Sequence, residues 1–119
     1  MTGSTTTVST HVLDTGAGRP ADGVGVELAV RQGADGDWSL LAARWTDAEG
    51  RCAGFPALPP HTAQARLRFV VGPYLRPDPA EGGAAFFPEA AVTFAVEPGE
   101  HYHVPLLLSP FGYSVYRGS

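Results

Sequence analysis

The chain of 119 residues contains no lysine, so all eight of its basic residues are arginine. The bias is compositional except where an arginine meets a planar anion, because there the fixed fork of donors has a use. Charged residues are scarce as a whole, at 17% against a usual quarter. Such a chain must cover its surface in another way, and hiding surface against other subunits is one. The net charge of −4 argues against a nucleic-acid or anionic-membrane surface. One cysteine, Cys52, excludes an internal disulfide and cannot build a metal site alone. It fits a reducing compartment. Although it follows Arg51, it reads as a small strand residue rather than a nucleophile. No apolar run is long enough to span a bilayer. Met1 to Thr10 is rich in Thr and Ser and has neither a basic nor an apolar leader region, so a cytoplasmic protein is expected. No Gly-x-Ser-x-Gly elbow is present for a serine nucleophile.

What the chain does have is punctuation. Its 15 glycines and 11 prolines fall between short alternating runs. The alternation predicts strands over Val8 to Asp14, Gly23 to Arg31, Trp38 to Thr46, Arg51 to Phe55, Ala65 to Val71, Ala90 to Val96, Tyr102 to Ser109 and Gly112 to Tyr116. In the third of these, Trp38, Leu40 and Ala42 are expected to alternate against Leu41, Ala43 and Trp45. The proline-rich connection over 73–88 leaves room for at most one broken helical turn. Residues 1–119 are expected to form one domain, a β-sandwich with almost no helix.

The strand period separates two faces. Val8, Thr10 and Val12 share one face of the first strand, and Val104, Leu106 and Leu108 share one face of the penultimate strand. If these rows fill the core, His11 and Leu13 face outward, and so do His103, Pro105 and Leu107. An outer face with leucines around histidines suggests cover by another subunit. Pro105 inside a strand points to an edge or a bulge. His101 is expected to be solvated at its turn, and His61 has no inferable partner. Two histidines without an Asp, Glu or Cys at ligand spacing are a weak zinc signal, so no metal is expected. Tyr116, Arg117, Gly118 and Ser119 follow an apolar strand directly, and a docked polar terminus of this kind suggests a site.

Four blocks carry a resemblance. They are His11-Val12-Leu13-Asp14-Thr15-Gly16-Ala17-Gly18-Arg19-Pro20-Ala21, Thr46-Asp47-Ala48-Glu49-Gly50-Arg51, Tyr102-His103-Val104-Pro105-Leu106-Leu107-Leu108-Ser109-Pro110, and Tyr113-Ser114-Val115-Tyr116-Arg117-Gly118-Ser119. In this order they resemble the 5-hydroxyisourate hydrolases, the transthyretin-related family of urate breakdown. The family more often has threonine where Val115 stands, and the stretch 71–85 matches poorly.

The resemblance implies an all-β, transthyretin-like (prealbumin-like) sandwich of seven to eight strands with at most one short helix. It implies a homotetramer with active sites where two dimers stack. The substrate would be the small molecule 5-hydroxyisourate, hydrolysed without cofactor or metal and without nucleic-acid or membrane partners. His11, Arg51, His103 and Ser119 match catalytic positions. Tyr116, Arg117, Gly118, Leu13 and Pro105 are the substrate-binding candidates. A histidine suits proton transfer near pH 7, and an arginine suits an anionic planar substrate. Either histidine could be the base. The rivals are a non-catalytic transthyretin-like carrier of a small ligand and a plain immunoglobulin-like or carbohydrate-binding module.

Overall fold

The computed structural model describes residues 5–78, 80 and 82–119. Its strands are Thr7–Ser9 (β1), Val12–Asp14 (β2), Arg19–Pro20 (β3), Gly25–Arg31 (β4), Ser39–Trp45 (β5), Gln64–Val70 (β6), Ala90–Ala95 (β7), His101–His103 (β8), Leu106–Ser109 (β9) and Gly112–Val115 (β10). One helical turn, Gly72–Leu75 (α1), follows β6. It occupies the start of the proline-rich connection, and Pro73 sits in its first turn, where a missing N–H costs nothing.

Two sheets face each other. The first has the order β5-β4-β6-β7 and is antiparallel throughout. The second has the order β10-β9-β2-β3, with β2 and β9 parallel. The β1–β8 pair extends that parallel ladder in the same register: Ser9 lies beside His103 and Val12 beside Leu106. Backbone bonds from Val104 to Ser9 and from Leu106 to His11, both 2.9 Å, carry the ladder across the gap. Thus β1–β2 and β8–β9 are two long strands, each interrupted once, and the described residues form a sandwich of eight strands.

The core follows the expected rows. Val8, Val12, Val104, Leu106 and Leu108 from the second sheet meet Val24, Val26, Leu28, Val30, Leu67, Phe69 and Val71 from the first, all buried. Each fully buried Leu or Phe stabilises the fold by about 2–3 kcal/mol. Thr10 is buried in the same row because its hydroxyl donates to the Val104 carbonyl at 2.6 Å.

Three sequence expectations change. Arg51 to Phe55 is not a strand: only Arg51 pairs, as a single bridge to His11. Gly54 turns at φ 79° and Pro56 has no N–H to give a ladder, so pairing stops there. Cys52 is still buried, but in a loop. In β5 the register shifts, pairing Leu28 with Ala42 but Ala29 with Leu40. Leu41 is the extra residue, so Leu40 does not share the buried face of Ala42 and is exposed. Finally, Pro105 lies at neither an edge nor a bulge. It is buried within a central strand, between β8 and β9. The bridge between His103 and Gly118 and the pairing of Leu106 with Val115 set Pro105 opposite Tyr116. Because Pro105 cannot donate to Tyr116, the strand is interrupted there without a shift of register.

Candidate active site

The site begins with a tight turn. Buried Thr46 anchors its start: the Thr46 hydroxyl donates to the Ala21 carbonyl at 2.7 Å and accepts the Val24 N–H at 2.9 Å. The Asp47 carboxylate then accepts the N–H groups of Glu49 (2.9 Å) and Arg51 (3.0 Å). Those two bonds, that from Arg51 first, hold its pKa below the usual carboxylate value. Gly50 closes the turn at φ 80°, and its carbonyl takes the Val12 N–H at 2.8 Å. Any Cβ at Gly50 would collide with the Val12 carbonyl and come within 3.1 Å of the His11 ring. Only glycine lets the turn lie so close to β2, and the consequence is that Arg51 stands directly beside His11.

The outer face of the second sheet can be read row by row. One row runs Arg51, His11, Pro105 and Tyr116 across four neighbouring segments. The next row away from β3 holds Ser9, His103 and Gly118. On the other side lie Pro20, Leu13, Leu107 and Ser114. The expected set His11, Leu13, His103, Pro105, Arg51, Tyr116 and Gly118 is therefore gathered on one face by strand pairing. Ser119 is exposed one residue beyond the His103–Gly118 bridge.

Arg117 is the exception. Alternation turns it to the opposite side, where its guanidinium lies 4.8 Å from the Tyr102 ring centroid and 3.4 Å from Glu100. Tyr102 belongs to the core row, so the Arg117 side chain does not join the histidines. His101 is exposed as expected, yet it bonds to two hydroxyls, those of Thr7 and Ser9. His61 lies in its loop, exposed, at φ 69°.

Hydrogen bonds set the states of the two rings. His11 Nε2 is 2.6 Å from the Glu49 carbonyl, which can only accept, so His11 carries its proton on Nε2. Neutral His11 then presents the lone pair of Nδ1. His103 Nδ1 is 2.8 Å from the Ser9 hydroxyl, leaving Nε2 for a ligand. Burial lowers the His103 pKa, and positive charge on His11, His101 and Arg51 acts in the same direction. His103 is therefore neutral and able to accept a proton at pH 7. The Arg51 side chain is 57% exposed, and its guanidinium is held only by a surface ion pair to Glu49 at 3.2 Å. Pairs of this kind are worth at most ~1 kcal/mol, so an incoming anion can displace Glu49. Cys52 offers no nucleophile: burial pushes its thiol up to about 11. Among the described residues no three His, Cys, Asp or Glu side chains converge to hold a metal ion.

The turn from Asp47 to Gly50 is as its sequence predicts, but sequence reasoning missed Ser9, the Glu49 carbonyl and the bonds of the Asp47 carboxylate that tie the turn. Ser9 was within reach, since the strand period puts it on the face of His11. The Glu49 carbonyl had no signal, because a backbone contact leaves no mark on residue type.

Residues 8–118 match the HIUase/Transthyretin family. The chain belongs to this family. The 5-hydroxyisourate hydrolase of Salmonella typhimurium is 43% identical over 117 residues, covering 94% of this chain and 80% of that protein. The structure of Klebsiella pneumoniae 5-hydroxyisourate hydrolase superposes with a TM-score of 0.75 at 36% identity, covering 98% of this chain and 99% of the other. The transthyretin of Sparus aurata superposes with a TM-score of 0.77 at 29% identity, covering 93% and 95%. The fold is thus the transthyretin-like sandwich, shared by the hydrolases and the transthyretins of the family.

Proposed function

We propose that this chain is a 5-hydroxyisourate hydrolase, opening the six-membered ring to 2-oxo-4-hydroxy-4-carboxy-5-ureidoimidazoline in urate catabolism. The observation that carries the reading is the placing of His11, Arg51 and His103 on one outward face of a family member whose relatives bear that name. One water donates a hydrogen bond to His11 Nδ1 and gives its other proton to His103 Nε2. The hydroxide oxygen bonds to a ring carbonyl carbon, and Arg51 steadies the oxygen that becomes negative. The tetrahedral centre collapses by breaking its carbon–nitrogen bond, and the leaving nitrogen takes back the proton from His103. The products are a ureido group and a carboxylic acid, which gives its remaining proton to solvent to become a carboxylate. No cofactor enters this scheme. Leu13, Pro105 and Tyr116 supply the apolar floor, and Gly118 and Ser119 supply hydrogen-bonding groups. Arg117 anchors the terminal segment through Tyr102 and Glu100.

The working form is a homotetramer of single-domain chains, with each site in a channel between two stacked dimers. Leu13 and Leu107 on the site face support this. The outer face of the other sheet is by contrast laced with charge: Arg68 bridges Glu27 (3.1 Å) and Glu89 (2.9 Å), and Trp38 lies between Arg31 and Arg66. The site face is thus the one suited to stacking. Among the described residues no helix is long and apolar enough to cross a membrane. We place the enzyme in the cytoplasm.

The test is spectroscopic. Purified protein should hasten the decay of freshly generated 5-hydroxyisourate without added metal, and chelation should leave the rate unchanged. Equal decay with and without protein, together with tight binding of a small aromatic ligand, would favour the carrier.

A further inference from the structure

Behind His103 runs a chain of side chains that the reaction scheme above does not use. Thr7 and Ser9 lie on the outer face of β1, beside His101 and His103 of β8. Thr7 Oγ1 is 2.6 Å from His101 Nδ1. His101 Nε2 is 2.9 Å from Ser9 Oγ. Ser9 Oγ is 2.8 Å from His103 Nδ1. The chain runs from His103 to His101, whose imidazole is exposed, and on to Thr7.

A hydroxyl has one proton to give, and a neutral imidazole has one N–H. Ser9 can therefore donate to only one of the two rings, and a chain that runs through it has two directions. In the first, His103 Nδ1–H donates to Ser9, Ser9 donates to His101 Nε2, and His101 Nδ1–H donates to Thr7. His103 Nε2 is then bare and basic. In the second, His101 Nε2–H donates to Ser9, Ser9 donates to His103 Nδ1, and His103 Nε2 carries hydrogen.

We propose that Ser9 and His101 form a proton relay behind His103, which carries the proton taken from water out to His101 and returns it for the leaving nitrogen. This rests on the reading of His103 as the base. When water's O–H breaks and an N–H forms at His103 Nε2, the Nδ1 proton passes to Ser9 Oγ. The proton that Ser9 held passes to His101 Nε2. His103 is left neutral with its proton on Nε2, and the positive charge sits on exposed His101. Donation of that Nε2 proton to the leaving nitrogen reverses each transfer and restores the first direction. No proton is gained or lost. The need for such an exit is electrostatic: an imidazolium at His103 would be half-buried near Arg51 and His11, whereas His101 is solvated. Ser9 and His101 touch no substrate in this scheme; they act through His103.

The test combines variants with solvent isotope measurements on the full chain. Ser9→Ala and His101→Ala should each lower kcat roughly 100-fold, the low end of a proton-transfer contribution, with KM and melting temperature near wild type. Ser9→Thr, which keeps the hydroxyl, should recover most of the rate. Rates in mixed H2O and D2O should give a bowed plot for the wild type, with several protons moving together, and a straight one for Ser9→Ala. Added imidazole at constant pH should restore His101→Ala and leave the wild type unmoved. His101 is exposed, so its variant keeps the test alive should Ser9→Ala fail to fold. If His103→Ala is inactive while His101→Ala turns over at the wild-type rate, the relay is wrong and His103 still stands as base. If His103→Ala itself runs at the wild-type rate, the reading of the site fails and the relay with it.

Discussion

Gly118 lies against the edge of the His103 ring. Its N–H donates to the His103 carbonyl at 2.7 Å, and a Cβ there would come within 2.7 Å of His103 Cδ2. The neighbour of Cδ2 in the ring is Nε2, the nitrogen left for the substrate. Gly118→Ala must therefore tilt the ring or push the terminal segment away. The expected result is a loss of kcat of at least ~10-fold, because small misplacements of a reacting group are costly. The change touches no core row, so the melting temperature should fall little. A Gly118→Ala protein with wild-type kcat would show that His103 does not need that edge.

The state of His103 gives a pH dependence with a definite sign. A base must be unprotonated. The folded pKa of His103 lies below the ordinary value of about 6.5. Turnover should therefore be level around pH 7 and fall as the pH drops through that lowered value. Stability should change in the same direction, because the unfolded chain binds this proton more readily than the folded one. It should begin to decline as the pH falls below about 6.5 and continue to do so down to the folded pKa. A rate profile whose acid limb lies above pH 6.5 would assign the base elsewhere.

Arg51 is held on its turn by backbone bonds to Asp47, and its tip is held only by the surface pair with Glu49. Arg51→Lys keeps the charge but gives up the paired, planar donors. A drop in kcat/KM of at least ~10-fold is expected, with little change in melting temperature. His61→Ala is the control: it sits in an exposed loop away from the site and should match the wild type. Saturation kinetics on both variants decide the matter, and an inactive His61→Ala would overturn the choice of face.

Much of this arrangement was legible in the sequence because the strand period is two. Val8, Thr10 and Val12 had to face one way and Ser9 and His11 the other, and the same held for Val104 and His103. The failures lie where backbone geometry overrides the period. The extra residue in β5 left Leu41 unpaired, and nothing in the run from Trp38 to Thr46 marks the place. The pairing of Arg51 stops after one residue for want of a straight backbone at Gly54. Pro105 lies in a central strand because its missing donor faces Tyr116, and sequence does not say which neighbour a given N–H faces. Within the site, the side chains could be read from residue type and period. The contacts that fix ring orientation, Glu49 C=O to His11 and Gly118 to His103, are made by backbone and could not.

The last prediction concerns Leu107. It lies in β9 on the site face, beside Leu13 in the parallel ladder and opposite Ser114 of β10. In a single chain it is half-buried, so a longer polar side chain there could reach water. In a stack of two dimers through this face it would be enclosed. A carboxylate at that point would be unpaired, and an unpaired buried charge costs several kcal/mol. Leu107→Glu should accordingly fold, with the core rows of Val104, Leu106 and Leu108 intact, and should sediment as a dimer. On the proposed stack, which completes the channel, activity should be lost together with the tetramer. The mirror change Thr93→Glu, at an exposed position on the other sheet, should leave both assembly and rate untouched. A Leu107→Glu protein that remains tetrameric would place the interface on another face. One that is dimeric and fully active would show that each chain completes its own site.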